Sequence, residues 1–407
     1  MVLGAERVQS GGGRTIAVGT TDVRIDTRET DAEAADLLRL PEFIAAATNT
    51  LEMWADSRLR STGNGTGASN YTVTGAGALL RVASAEGFGI TRNGADSASG
   101  TLDVAANAQL GGGAVELDAT KDTKVSTEAK LAATSLSIAS SAVRFDETPP
   151  EPTASGLTVN SDLLKRIETA RELRLRSYGS IDFAGSYTVG QLAENGEPLV
   201  RKLTLDTKAI RGLAGAGEEA KIRAASVTLT NTTGVDPVAA ELSGGGSLTF
   251  ETLAVAGDTG SGRITIGPGK IATDGFDAVD LDAAREVVGA GIGTFTAGGG
   301  GTQLDITAGR VTAATRAVTT IQSDGAVKIA AKPDAAALAP VDGLGATLTI
   351  KGTAVEQAGV VDLTAGSVAL QATTGDLVLA AGSLTRAGAY EKSFDGDGLF
   401  QCGRREP

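Results

Sequence analysis

Carboxylates are the only groups in this sequence dense enough to suggest chemistry. Asp274, Asp277, Asp280 and Asp282 form the tightest acidic group. If their segment is a strand, Asp280 and Asp282 share one face, and paired carboxylates can hydrolyse a glycosidic bond. Aspartates flanking short apolar phrases are also ordinary turn and outward-facing residues, and that is the expectation here. Other reactions are excluded by composition, since the chain has no histidine and a single cysteine, Cys402. A histidine triad, an imidazole base and a His- or Cys-cluster metal site are all ruled out. Asp395-Gly396-Asp397-Gly398 opens like a calcium loop with Glu406 suitably placed, but Leu399 and Phe400 stand where a ligand and the obligatory glycine belong. No catalytic, cofactor-binding or metal-binding residue is assigned, and no cofactor is expected. The basic group Lys165, Arg166, Arg171, Arg174 and Arg176 could face an anion. A solvated edge balanced by Glu168 and Glu172 is the preferred reading, because charge protects exposed strands from pairing.

The residues that must position any site belong to one recurring phrase. An apolar residue, a spacer and a second apolar residue follow a small or turn-forming residue. The phrase returns as Val227/Leu229, Leu248/Phe250, Ile264/Ile266, Val279/Leu281, Leu304/Ile306, Val327/Ile329, Leu348/Ile350, Val361/Leu363, Val368/Leu370 and Leu377/Leu379. Apolar residues two apart point to one side of a strand, so each phrase reads as a short half-buried strand. Several returns lie 21 to 25 residues apart, as from 227 to 248 and from 279 to 304. Recurrence at a period of about 20–50 residues marks a solenoid.

Composition agrees. Among 407 residues there are 55 glycines but only 10 prolines, with 41% hydrophobic residues and 3% aromatic. That is apolar enough to bury a core, and stacked small coils have little room for rings. The net charge of −13 and the absence of a basic stripe with interleaved aromatics argue against nucleic-acid binding. No run of about 18 apolar residues could form a transmembrane helix. Met1 to Gly13 lacks the apolar stretch of a signal peptide.

Five regions follow. Residues 1–40 are a polar lead-in with weak alternation at Ile16–Val18 and Val23–Ile25 and a short helix over 29–40, ended by Pro41. Residues 41–148 are a β-solenoid segment carrying Leu51/Met53, Leu80/Val82, Phe88/Ile90, Leu102/Val104, Val115/Leu117 and Leu136/Ile138, with Gly63–Gly67 and Gly111–Gly113 as corners. Residues 149–155 are a Pro-rich linker, since Pro149, Pro150 and Pro152 cannot continue a paired strand. Residues 156–389 are the main repeat body, opening on helical spacing from Asp162 that gives way to the alternation of Leu173/Leu175. Residues 390–407 are a polar tail in which no convincing cap for a terminal coil is evident.

Several stretches resemble large bacterial exoproteins of the filamentous haemagglutinin family: Leu40–Arg60, Ile222–Thr233, Gly245–Phe250 running into Gly262–Gly267, Phe276–Gly289 and Leu304–Ser323. The likeness spans about residues 40–385 in phrase, order and period, and its motifs are strands rather than catalytic signatures. It implies an all-β, right-handed parallel β-helix (a β-solenoid) with short helical or loop decorations. It also implies two-partner secretion through an outer-membrane partner to the cell surface, and adhesion to a receptor or glycan on a host or neighbouring cell. The missing signal peptide and secretion-recognition domain imply an internal or C-terminal piece of a longer exoprotein, or a broken gene. The expectation is thus a non-enzymatic adhesin shaft. The alternatives are a β-helical polysaccharide hydrolase or lyase working through carboxylates, and the stalk of a contact-dependent toxin-delivery exoprotein.

Overall fold

A computed structural model describes residues 2–3, 5–10, 14–19, 21–28, 40–62, 70–93, 99–148, 155–238, 242, 245–339 and 343–388. The helix expected over 29–40 (apart from Leu40), the Gly63–Gly67 corner, residues 149–154 of the linker and the tail 390–407 lie outside them. The described chain is all-β with one helix, and its strands form long, mainly parallel sheets. It falls into two compact units: Met1–Ala214 with Thr232–Val235, and Gly215–Asn231 with Asp236–Pro407.

In the second unit the chain visits three sheets in turn. Phe276–Ala283, Glu286–Gly289 and Ile292–Ala297 are followed by Gln303–Ala308, Arg310–Ala313 and Val318–Ser323, and then by Val327–Ala331 back in the first sheet. Each return pairs parallel and in register with the previous visit. Leu281 aligns with Ile306 and Ile306 with Ile329, Val287 with Val311, and Phe295 with Ile321. Side chains alternate across a pleated strand, so this register stacks one apolar row on the next. Val279, Leu281, Leu304, Ile306, Leu348 and Ile350 are all 0% exposed. Residues between them, such as Asp280, Asp305 and Thr349, are half-buried on the other face.

Glycine enters where rungs approach too closely for a side chain. A Cβ on Gly293 would sit 2.0 Å from the Gly267 carbonyl oxygen. At the Gly298–Gly301 corner the Asp324 carboxylate accepts the N–H groups of Gly299, Gly300, Gly301 and Thr302 at 3.0, 2.8, 3.2 and 3.0 Å. Gly299, Gly300 and Gly301 hold φ of 125°, 95° and 104°, a region that favours glycine.

The first unit mixes strand directions. Gln109–Ala119, Lys130–Ser140, Glu172–Ser177 and Lys202–Asp206 pair parallel in succession. Ala78–Ala83 instead lies antiparallel between Glu42–Ala47 and Gln109–Ala119. Gly111–Gly113, expected as a corner, is inside the strand Gln109–Ala119. The reason is backbone crowding, since Cβ atoms on Gly112 and Gly113 would meet the carbonyls of Ala83 and Ser84 at 2.5 and 2.2 Å. Helix α1, Ser161–Ile167, begins where the Asn160 side chain accepts the Leu163 N–H, and it buries Leu163, Leu164 and Ile167.

Truncating a stacked inward residue should be expensive and truncating an outward one cheap. Denaturant unfolding is expected to show Ile350→Ala losing about 2–5 kcal/mol. Ile292→Ala, at a side chain 75% exposed, should stay within about 0.5 kcal/mol of the parent. Equal losses would contradict the assigned facing.

Candidate functional site

A dense assembly of ionisable side chains lies on the outward face of the first unit's parallel strands. Val115, Leu117, Leu136, Ile138, Leu173 and Leu175 point into the core. The residues between them therefore project outward: Glu116 beside Arg81 on one flank and Ser137 on the other, Ser137 beside Arg174, and Arg176 beside Asp206. An outward row would normally be wet. Here the segment Gly87–Arg92 crosses it, and Arg81, Arg92, Glu116, Asp118, Arg176 and Asp206 are all under 5% exposed.

Burial requires each charge to find a partner. The Glu116 carboxylate accepts from Arg81 at 2.7 Å, Arg174 at 3.0 Å, and the backbone N–H groups of Gly89 and Ile90 at 2.7 and 3.3 Å. Arg81 also donates to Glu42 at 2.7 Å, and the Arg174 guanidinium lies over the Phe88 ring at 4.7 Å. Asp118 accepts from Arg92 at 3.2 Å and from the Tyr178 hydroxyl at 2.7 Å. Burial opposes the ionisation of Asp118, but Arg92, Arg176 and Tyr178 outweigh it and hold its carboxyl below the usual range. Burial, and then the Asp118 charge, push the Tyr178 phenol far above its ordinary value. The Glu116 carboxylate is thus occupied by two guanidinium and two backbone donors. The layer's evident work is to fasten Gly87–Arg92 to the sheet.

The basic group expected at a solvated edge is thus divided. Lys165 and Arg171 are exposed, whereas Arg174 is mostly covered and Arg176 is 1% exposed. Glu168, expected to balance them in solvent, is itself 1% exposed at the C-terminus of α1. One of its oxygens accepts the Gly190 N–H at 2.6 Å, and the other has no hydrogen-bond partner. Burial raises its pKa to about 7, against the smaller pull of the Gly190 and Gln191 N–H groups.

A cleft of about 370 Å³ opens in the same unit between Asp122–Val125, Arg144–Thr148 and Ser155–Asn160. This is within the range of small-ligand pockets, but its acids are committed to the surrounding loops. Asp122 accepts the Gly156 N–H at 2.9 Å, Asp146 pairs with Arg144 at 2.8 Å, and Glu147 accepts from Ser161 N–H at 3.0 Å and Tyr187 at 3.2 Å. Lys124 and Arg144 are exposed cations on its wall.

Of the four aspartates singled out in the sequence, Asp274 is buried, Asp277 is exposed, and Asp280 and Asp282 project together from the outward face of Phe276–Ala283. Asp282 pairs with Lys332. Asp280 stands in register with Asp305 on the next strand and accepts from Thr249 at 3.4 Å. Partial burial, then the Asp305 charge, raise its pKa. Among the described residues, no group of three or more His, Cys, Asp or Glu side chains is arranged to hold a metal ion. Among the same residues, no helix is long and apolar enough to cross a membrane. No protein-family model, curated protein or solved structure matches the chain.

Sequence reasoning missed the buried layer. Alternation placed Arg174 and Arg176 outward correctly, but the segment that covers that face, Gly87–Arg92, lies more than 80 positions earlier.

Glu168 generates a signed expectation. Between pH about 4.5 and 7 the unfolded chain releases this proton while the folded chain keeps it. Stability should therefore fall as pH rises through that window, by about 3 kcal/mol from this group. Glu168→Gln should flatten that segment of the stability–pH profile in chemical unfolding. Parallel profiles for the two proteins would refute the assignment.

Proposed function

We propose that this chain is a right-handed parallel β-helical segment of a large bacterial surface exoprotein of filamentous-haemagglutinin type, acting in adhesion without enzymatic chemistry. The observation that carries the reading is the cyclic visiting of three sheets in the second unit, each strand in register with its predecessor. Stacking of this kind adds outer surface rung by rung around an unchanging interior. A partner would meet outward rows of side chains, not a cavity. Along one sheet such a row runs through Thr249, Asp280, Asp305, Lys328 and Glu356. The proposed partner is a receptor or glycan on a host or neighbouring cell, reached after export through an outer-membrane partner.

A polysaccharide hydrolase is the second reading, favoured by one feature: Asp280 and Asp305 are adjacent carboxylates, and the Asp280 proton is held more tightly than usual. One experiment separates the two. Immobilised protein should retain glycan-bearing cells above an albumin surface, and Asp280→Asn should leave that retention unchanged. Release of reducing ends from a polysaccharide panel, falling about 100-fold or more in Asp280→Asn, is the signature of acid–base catalysis and would replace adhesion with hydrolysis.

A further inference from the structure

Helix α1 ends at Glu168, whose backbone N–H closes the last turn on the Leu164 carbonyl at 3.0 Å. The same turn that buries Ile167 takes the Glu168 side chain under cover, at 1% exposure. One of its oxygens accepts the Gly190 N–H at 2.6 Å, and the other meets no donor. Gly190 opens a loop whose own bonds close it like a hairpin. The Leu199 N–H donates to the Gln191 carbonyl at 2.9 Å, the Ala193 N–H donates to the Glu197 carbonyl at 2.8 Å, and Leu192 bridges Pro198. The flanking Val189 and Val200 are buried, while Leu192 and Leu199 are 41% and 42% exposed. A loop so self-contained can open about its base without disturbing the sheets. Glu168 ties that base to the helix.

A carboxylate in this position needs a counter-charge, and the neighbouring cations are exposed or engaged elsewhere. Lys165, Arg171 and Lys130, the last on the strand packed against α1, are exposed. Arg166 donates to the Ala129 carbonyl at 3.2 Å, Arg201 pairs with Glu197 at 2.7 Å, and Lys202 pairs with Glu172 at 2.6 Å. The acids Asp162 and Glu194 are exposed. The groups that favour the ionised form of Glu168 are the backbone N–H groups of Gly190 and Gln191, and burial outweighs them. We propose that Glu168 is a pH-operated latch on the loop Gly190–Leu199, closed while its carboxyl is protonated and released when the carboxyl ionises. The protonated group still accepts the Gly190 N–H and carries no charge to hydrate. Ionisation leaves a buried charge with one bare oxygen, and moving the loop aside lets water reach it. Burial pushes the carboxyl's pKa up to about 7, so the latch works near neutral pH. Leu192 and Leu199 ride on the loop, and its release alters the apolar surface that this unit presents. Global unfolding responds to the same ionisation, but the latch opens with the sheets intact and is independent of adhesion and of hydrolysis.

Hydrogen–deuterium exchange of the full chain, with rates corrected for base catalysis, reads the latch directly. In the open loop Glu168 ionises at its ordinary value of 4.5, whereas in the closed one it holds its proton to about 7. Protection of Gly190–Leu199 should therefore fall about 50-fold or more between about pH 5 and 8, levelling off above about pH 7. The strand Lys130–Ser140 should remain better protected than the loop at every pH. Glu168→Gln, neutral throughout and still an acceptor for the Gly190 N–H, should hold the loop's protection constant across the same range. Three results would overturn the proposal: loop protection that does not change with pH in the parent, the parent's pH dependence persisting in Glu168→Gln, or loop and strand exchanging at one common rate, which marks global unfolding. The first and third are read on the parent protein alone.

Discussion

The second unit depends on one constraint: each strand pairs, parallel and in register, with the strand of the chain's previous visit to the same sheet. Leu281 on Ile306 on Ile329 is a side-chain column as well as a backbone ladder, so a shift of one residue would turn every apolar row outward. The choice of residues follows from it. Inward positions take Val, Leu, Ile and an occasional Phe, as where Phe250 meets Phe295 edge-on at 6.2 Å. Where rungs nearly touch, as at Gly293 over the Gly267 carbonyl, even a methyl group is too large. Where an exposed corner leaves several N–H groups converging, the carboxylate that follows the next strand of the sheet, Asp324, collects them.

The first unit meets the same constraint differently. Its antiparallel strand Ala78–Ala83 leads into Gly87–Arg92, which lies across the outer face of the sheet. That face could not remain a row of hydrated charges once covered, and it became a paired network centred on Glu116 and Asp118. Such a network adds little net stability relative to apolar packing, because desolvation offsets most of the attraction. Its geometry is demanding, however, and it admits one placement of the crossing segment.

The stacked rows were the most legible part of the sequence. Val227/Leu229 through Val361/Leu363 all mark buried strand positions, because period-two alternation reports burial of one face directly. Helix α1 was legible from the apolar spacing after Asp162. Strand direction was not legible: Leu80/Val82 alternate just as a parallel strand would, yet their strand runs antiparallel. Gly111–Gly113 was misread because glycine marks both a tight corner and a close backbone approach, and only the neighbouring Ala83 and Ser84 carbonyls distinguish them. The buried state of Glu168 and Arg176 depends on segments distant in sequence, which no local pattern encodes. The facing of Asp280 and Asp282 was read correctly, whereas the partnership of Asp280 with Asp305 required the register between neighbouring strands.

That register is the central claim, and cysteine cross-linking tests it most directly. In a Cys402→Ser background, Thr294→Cys with Thr320→Cys places two thiols on directly paired positions of neighbouring strands. Thr294→Cys with Gln322→Cys is offset by one pleat repeat. Paired positions about 4.8 Å apart lie within disulfide reach, whereas the offset pair, about 8 Å apart, does not. The first pair should oxidise rapidly and quantitatively, and the second hardly at all. Preferential oxidation of the offset pair, or failure of both, would contradict in-register stacking.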